Sequence, residues 1–166
     1  MNHSPRLDMF SPVERSRIMR AVKGSSTRCE LRFAELLREL RVRFRHQGTE
    51  LPGRPDFVVE SIRLAIFVDG DFWHGRWWKE ACEAPVGNRP YWIEKLERNW
   101  TRDRKTDRKL RRGGWSVLRV WESDLQRDTR AVVVRLKDVL RRRQAVMDKR
   151  RSSQMPKRRF RRGAAY

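Results

Sequence analysis

Three aspartates, Asp56, Asp69 and Asp71, are spaced so that a β-hairpin would bring them together. Residues 56–60 and 63–69 are β-rich runs, and a turn centred between positions 61 and 62 would pair residues whose numbers sum to about 123. Asp56 then lies opposite position 67 or 68, while Asp69 and Asp71 follow at the open end of the same hairpin. The spacing therefore predicts up to three carboxylates around one strand end.

Carboxylates in this arrangement suit a hard divalent cation. They would repel one another without a counter-charge, and Mg²⁺ favours such oxygen ligands together with a backbone carbonyl, here that of Val68. A cation bound there would polarise a phosphodiester. The alternative is structural, because Asp56 could cap a strand after a proline turn and residues 69–71 could form an exposed turn. Spacing alone leaves both interpretations open.

His74 follows five residues after Asp69 and carries the side chain best suited to proton transfer at neutral pH. Near a metal-bound phosphate it could activate water or protonate a leaving group. A single loop histidine is more often a surface residue, but the closeness of His74 to the acidic strand end favours the catalytic interpretation.

Large aromatic residues crowd the irregular segment that follows. They could wedge between base pairs, where unstacking a step costs about a few kcal/mol, or pack beneath the loop as a satellite cluster. We expect some of each. They are Phe72, Trp73, Trp77, Trp78, Tyr91 and Trp92.

A charged helix is predicted over 91–112, and it presents one basic face with an amide. Side chains spaced three or four residues apart share a helix face, and such a face suits contact with phosphates. A solvated helix with internal ion pairs would explain much of the same charge. The residues of this face are Lys95, Arg98, Asn99, Arg102 and Asp103.

The elements that must position these residues predict an α/β fold. Their order is helix, three strands, helix, strand, helix, which indicates a mixed central sheet flanked by helices. The run at 64–68 is continuously apolar, so we expect a central strand there. The predicted helices cover 27–42, 91–112 and about 128–140, and the predicted strands cover 43–47, 56–60, 63–69 and 115–121.

The formal net charge is +20, and residues 141–166 alone hold eleven basic residues against one acid. A polyanion is the natural partner, because phosphates neutralised by Lys or Arg release condensed counterions. A ribosomal or membrane-surface protein would have a similar composition. We divide the chain into an N-terminal DNA-contacting arm (1–25), a domain (26–140) and a basic tail (141–166), which we expect to be disordered.

The two cysteines, Cys29 and Cys82, have no paired spacing. A disulfide framework and a cysteine-rich zinc site are therefore not expected. No stretch has the length and apolarity of a signal peptide or a membrane span, so we expect a cytoplasmic protein without membrane contact.

Several motifs, in this order and spacing, resemble the very short patch repair endonucleases. The likeness covers residues 12 to about 140 and includes Thr27 and Glu30 in addition to the longer motifs. These motifs are residues 15–22 (RSRIMRAV), 51–57 (LPGRPDF), 68–75 (VDGDFWHG), 91–103 (YWIEKLERNWTRD) and 114–122 (GWSVLRVWE).

The resemblance implies a relative of the PD-(D/E)xK restriction-endonuclease-like fold, acting on double-stranded mismatched DNA as a monomer, with other mismatch-repair proteins as further partners. It implies Asp56 as the main Mg²⁺ ligand, the carbonyl of Val68 as a second ligand and His74 as the catalytic histidine. Glu30 would support the site. The wedge entering DNA beside the mismatch would be Phe72, Trp73 and Trp92, and the nick would fall 5′ to the thymine of a T:G pair.

The sequence departs from the family at two places. Asp69 stands where well-known members carry a second active-site histidine, so we expect it to add a metal ligand and act in catalysis. The family often has a structural zinc site, whose positions read Asp71, Arg76, Trp78 and Ser123 here. We therefore predict no structural zinc and expect packing to hold the loop.

We predict a Mg²⁺-dependent, mismatch-directed DNA-nicking enzyme in which Lys95, Asn99 and Arg102 contact DNA. A restriction-like or defence DNase without mismatch specificity is the first alternative. A non-catalytic basic DNA-binding protein is the second. Cleavage of mismatched against fully paired duplexes, with and without Mg²⁺, discriminates the three.

Overall fold

The computed structural model of the chain describes residues 28–71, 74, 76 and 89–154, with side chains from 94 to 153 in the last range. The elements in chain order are α1 (Arg28–Glu39), β1 (Arg45–His46), β2 (Phe57–Val59), β3 (Leu64–Asp69), α2 (Arg89–Arg112), β4 (Ser116–Trp121), α3 (Glu122–Arg127) and α4 (Thr129–Gln154). The strands form one sheet in the order β1-β2-β3-β4. β1, β2 and β3 pair antiparallel in turn, whereas β3 and β4 are parallel. The predicted α/β fold with a mixed central sheet is confirmed.

β2 and β3 form the predicted hairpin in the predicted register. Phe57 pairs with Ile66 and Val59 with Leu64, so that paired residue numbers sum to 123. The connection is a 3-10 turn over Glu60–Ile62, and the residue after it adopts a left-handed conformation with φ of 49°. This register brings Asp56, just before β2, to the end of β3.

β3 is the central strand and is buried on both faces. Leu64 and Ile66 belong to the main core with α1 and α4, whereas Ala65 and Phe67 pack with Leu110 of α2. Successive residues of a strand point to opposite faces, and here both faces are covered by helices. That is why the run is apolar without alternation.

α1 packs one apolar stripe against the sheet. Phe33 and Leu37, four residues apart, are fully buried, and the Phe33 ring lies 5.5 Å from the ring of Phe57. Glu30 in the first turn is also buried. A carboxylate near a helix N-terminus is favourable.

α2 ends at the predicted glycine pair. Gly114 has a φ of 81°, a left-handed conformation that glycine adopts without steric cost. The preceding turns carry Leu96 and Leu110 into contact with the body of the domain, and both are buried. Many of the other described side chains of α2 are charged and exposed, among them Arg98, Arg102 and Arg104.

α4 differs from the sequence-based expectation, because it continues to Gln154 whereas disorder was expected from residue 141. Met147 packs against the main core, and Arg143 donates a hydrogen bond of 3.1 Å to the carbonyl of Ile62. These contacts hold the helix beyond the predicted end of the domain.

Residues 155–166 and the predicted arm (1–25) lie outside the described part. No helix within 28–71 or 89–154 is long and apolar enough to cross a membrane.

Candidate active site

Asp56 lies beside the end of β3, where the sequence predicted it. Its Oδ2 atom accepts a hydrogen bond of 2.7 Å from the backbone N–H of Val68. The rigid turn before it supports this position, because the backbone N–H of Gln47 donates to the Asp56 carbonyl at 2.7 Å and that of Gly48 to the Pro55 carbonyl at 2.8 Å. The carboxylate is therefore fixed by the backbone around it.

The surroundings of Asp56 disfavour its negative charge. Burial raises the pKa of Asp56 to about 6, and the charges of Glu30 and Asp69 act in the same direction. The hydrogen bond from Val68 opposes this shift. Three carboxylates thus influence one another at the strand end, and a cation placed among them would relieve their repulsion.

His46, which was not among the predicted site residues, also belongs to this region. Its Nε2 lies 3.5 Å from Oε2 of Glu30, and its ring lies 5.0 Å from the ring of Phe57. β1 brings it there by pairing His46 with Phe57. The available signal was its place in the predicted strand 43–47, directly before the turn that returns the chain to Asp56.

Asp69 is held differently from Asp56. Both of its carboxylate oxygens accept hydrogen bonds of 2.9 Å from Nη1 of Arg119, which lies on the neighbouring strand β4 two residues before the partner of Asp69, Trp121. Burial raises the pKa of Asp69, while the positive charges of His74 and Arg119 oppose the shift. Asp69 is therefore an ion-pair partner within the protein, and its expected part as a metal ligand stays a prediction.

His74 is joined to α2 by a short hydrogen bond. Its Nδ1 lies 2.7 Å from Oδ2 of Asp103 and 3.6 Å from Oδ1 of Asp69. Burial alone would lower the pKa of His74, but the bond to Asp103 and the charge of Asp69 outweigh it and raise the pKa. Burial would likewise raise the pKa of Asp103, and the bond from His74 instead holds it low. The imidazole is poised to carry a proton.

Arg119 connects these groups into one network. Its Nε and Nη2 atoms each donate to Oδ1 of Asp107 at 3.1 Å, Nη2 lies 3.8 Å from Oδ1 of Asp103, and its guanidinium stacks 4.5 Å above the Phe67 ring. The sequence predicted Asp103 only on a basic helix face, and Arg119 was covered only by the predicted strand 115–121. The missed signal was the acidic pair Asp103 and Asp107, four residues apart on a basic helix.

Asp71, the third predicted carboxylate, does not join Asp56. One of its oxygens accepts from the backbone N–H of Ser123 at 2.9 Å and the other from the Ser123 hydroxyl at 2.6 Å. Asp71 therefore connects the loop after β3 to the start of α3. The carboxylates near the strand end are Asp56, Glu30 and Asp69.

α2 carries the predicted basic face and also lines a cavity that opens onto the site. Lys95 and Asn99 are half-buried and Arg102 is exposed. The cavity has a volume of about 650 Å³, and the guanidinium of Arg104 stacks over the Trp100 ring at one wall, 4.5 Å from its centroid. Its lining includes Asp69, His74, Trp100, Asp103, Arg119 and Trp121.

Part of the predicted wedge cannot be placed. Phe72 and Trp73 lie outside the described residues, and Trp92 lies on α2 in the stretch whose side chains are not described. The helix does carry Trp92 on the same element as Lys95, Asn99 and Arg102. The wedge remains a prediction.

Asp56 and its neighbours fit a hard divalent cation better than a soft one. The donors are carboxylate oxygens, and the raised pKa of Asp56 reflects negative charge that a cation would compensate. Among the described residues no group of three or more His, Cys, Asp and Glu side chains is arranged to enclose a metal ion by itself. Such a cation would therefore need a backbone carbonyl, water or substrate phosphate to complete its ligands.

Comparison with known proteins relates this chain to DNA-cleaving enzymes. A family model described as DNA mismatch endonuclease Vsr matches residues 7–80. The type II nicking enzyme V.NmeDIP of Neisseria meningitidis serogroup C is 36% identical over 143 residues, which are 86% of this chain and 93% of that protein. The type II nicking enzyme V.XorIIP of Xanthomonas oryzae is 38% identical over 80% of this chain and 96% of that protein. The DNA mismatch endonuclease Vsr of Escherichia coli K12 is 40% identical over 72% of this chain and 76% of that protein.

Proposed function

Because the chain belongs to the Vsr family of DNA mismatch endonucleases and is therefore a DNA endonuclease, we propose that it nicks one DNA strand 5′ to the thymine of a T:G mismatch with the help of Mg²⁺. The observation that carries this proposal is the convergence of Asp56, Asp69 and the His74–Asp103 pair at the end of one strand. These groups adjoin a cavity and a basic helix, so DNA laid along the helix would bring a phosphate to the acids.

The proposed cation would be held by Asp56 and the backbone carbonyl of Val68, with Glu30 adding negative charge nearby. When bound, Mg²⁺ would supply Lewis acidity toward a phosphodiester. We assign Asp69 to orienting His74 and Arg119, because both of its oxygens already accept from Arg119. The network around Arg119 then keeps the imidazole in place beside the substrate.

The proposed duty of His74 is to give a proton to the leaving oxygen. With Nδ1 held by Asp103, Nε2 is the nitrogen that serves the substrate. The raised pKa of His74 favours the imidazolium at neutral pH, which is the state that a general acid needs. Asp103 stabilises the positive charge and fixes the ring, as the third member of a catalytic triad does.

The DNA would be held by charge and opened by aromatics. Lys95, Asn99 and Arg102 are proposed to contact the phosphates from α2, and the net charge of +20 favours approach of the duplex. Phe72, Trp73 and Trp92 are proposed to enter between the bases beside the mismatch. Residues 1–25 and the basic segment from 141 onwards would add contacts that do not depend on sequence.

The direct test is a nicking assay on duplexes that differ only in one base pair. We expect the wild-type protein to nick a T:G duplex in Mg²⁺, to leave it intact in EDTA and to nick the fully paired duplex far more slowly. We expect His74→Ala to lower the single-turnover rate about 10²- to 10⁴-fold, which is the usual contribution of a general acid. Equal cleavage of mismatched and paired duplexes would refute the mismatch specificity.

One observation supports a second candidate. Two of the relatives described above are named type II nicking enzymes, so a nickase that reads a sequence and not a mismatch is the alternative. It predicts nicks at one recurring sequence in fully paired plasmid DNA. Mapping nick positions on paired and mismatched plasmids in parallel distinguishes the two.

A further inference from the structure

The loop that carries His74 is joined to α3 by a compact polar cluster. Arg76 Nη1 donates to the Ser123 hydroxyl at 2.8 Å, and Arg76 Nη2 bonds to Oδ1 of Asp124. Asp71 accepts from both the hydroxyl and the backbone N–H of Ser123. We call these four residues, Asp71, Arg76, Ser123 and Asp124, the Arg76 clamp.

The clamp connects positions that are far apart in the chain. Arg76 lies 47 residues from Ser123 and 48 from Asp124, and its guanidinium stacks over the Trp121 ring at 5.6 Å. It therefore contacts the end of β4 and the first turn of α3 at once. Because these partners are distant in the sequence, the bonds form only when β4 and α3 are folded in place beside the loop.

The geometry of the clamp suits arginine in particular. Its planar fork presents Nη1 to the Ser123 hydroxyl and Nη2 to the Asp124 carboxylate, while Asp71 Oδ1 lies 3.5 Å from Nη1. A lysine ammonium is a single point charge and cannot occupy both donor positions. The side chains of Asp71 and Arg76 are 17% and 24% exposed, so solvent screens their bonds only in part.

His74 lies between the two loop residues of the clamp. Its backbone N–H donates to the Gly70 carbonyl at 3.2 Å, and the backbone N–H of Arg76 donates to the Asp71 carbonyl at 3.1 Å. These two backbone bonds hold the amides of His74 and Arg76 close to residues 70 and 71, directly after β3. The His74 imidazole extends from that turn to Asp103 on α2.

We propose that Arg76 is a positioning residue, which holds the His74 loop against α3 through Ser123 and Asp124 and so sets the place of the imidazole relative to Asp103. The proposal rests on the catalytic duty proposed for His74. It assigns to the clamp a contribution to the chemical step and none to DNA affinity, because Asp124 and Ser123 belong to α3 and not to the basic face of α2. A displacement of about 1 Å at a reacting group can cost roughly 100-fold in rate.

The test separates the rate of chemistry from DNA binding. In full-length Arg76→Gln we expect the single-turnover nicking rate at saturating protein to fall roughly 10- to 100-fold, while the Kd for uncut duplex in EDTA changes less than about threefold. Asp124→Asn, which weakens one contact only, should show a smaller loss of the same kind. Arg76→Lys should recover part of the rate. The matched control is Arg32→Gln, which removes an exposed arginine paired with Glu35 on α1.

A second measurement does not depend on nicking. The backbone amides of His74 and Arg76 should exchange with solvent about tenfold faster or more in Arg76→Gln than in Arg32→Gln, because the loop loses its anchor. Should Arg76→Gln fail to fold, Asp124→Asn carries both measurements. Wild-type rates and unchanged amide exchange in the Arg76 and Asp124 variants would overturn the inference. A wild-type protein that nicks no duplex, with faster exchange in Arg76→Gln, would overturn the proposed function and leave the loop anchor standing.

Discussion

Asp56 and Asp69 lie near the same strand end and burial raises the pKa of both, but their hydrogen-bond partners differ in kind. Asp56 is held by one backbone N–H, and its pKa rises to about 6 under burial and the charges of Glu30 and Asp69. Asp69 is held by a guanidinium that is itself fixed by Asp107. The first carboxylate carries charge that a cation or substrate would compensate, whereas the second is paired with a cationic side chain of the protein. The difference supports the proposed roles, in which Asp56 binds the cation and Asp69 orients its neighbours.

The comparison would break most clearly at Asp56. We expect Asp56→Asn to lower the nicking rate about 10³-fold or more, because the cation loses its main ligand. In EDTA at pH 7.5 the free energy of unfolding of the same variant should be about 1–2 kcal/mol higher than that of the wild type. The reason is that the wild-type Asp56 carboxylate ionises more easily in the unfolded chain than in the folded protein. Activity assays and urea denaturation check the two halves. A variant that loses both activity and stability would contradict the distinction.

The opposite result is expected at Arg119. Arg119→Gln leaves Asp69 buried without its cation, and we expect the free energy of unfolding to fall by about 2–4 kcal/mol. Adding Asp69→Asn should recover at least half of that loss, because the uncompensated charge is removed with its partner. Chemical denaturation of the two variants and the wild type measures both. If the double variant is no more stable than Arg119→Gln, Arg119 does not stabilise the ionised form of Asp69.

The proposed role of Asp56 as a metal ligand should also show in the pH dependence of nicking. The pKa of Asp56 in the folded protein is about 6, so this group takes up protons as pH falls through that value. At limiting Mg²⁺ we expect the nicking rate to drop toward tenfold per pH unit below about 6, because a protonated carboxyl is a poor ligand. The cation-free protein should become more stable over the same interval, since the folded state binds more protons than the unfolded chain. Mg²⁺ titrations between pH 5 and 8 measure this dependence. A nicking rate at limiting Mg²⁺ that does not change with pH would contradict the proposed role of Asp56.

The smallest effect is expected away from both carboxylates. Arg102 on α2 is exposed and is proposed to contact a phosphate, so Arg102→Gln should weaken DNA binding several-fold at about 0.1 M salt and reduce the slope of log K against log salt by about 1. The saturated nicking rate should stay within about twofold, because the contact of Arg102 with Asp103 is a long one of 3.7 Å and the 2.7 Å bond between His74 and Asp103 is kept. Fluorescence anisotropy across a salt series measures the slope, with Arg32→Gln as the control. An unchanged slope would remove Arg102 from the interface.

Much of the fold was predictable because its patterns are local or pairwise. The apolar run at 64–68 indicated the central strand, and the short turn at 60–62 determined the register that brings Asp56 to the end of β3. The glycine pair at 113–114 marked the end of α2. The extension of α4 was missed, because Met147 and Arg143 find their partners on other elements. A composition of mostly basic residues does not reveal such contacts.

The sequence by itself determined which chemistry the chain could perform, because residue types and motif spacing are linear properties. It supplied the acids, the histidine and the basic helix, and it placed Asp56 and β3 together through hairpin register. Only the tertiary structure decided which of those groups form ion pairs and hydrogen bonds with one another. Asp103 meets His74 across 29 residues and Arg119 meets Asp69 across 50, and these contacts exist only once α2 and β4 pack on β3. Proton affinity depends on burial and on neighbours in space. The pKa shifts of Asp56 and Asp69, and the different partners of the two carboxylates, therefore arise only on folding.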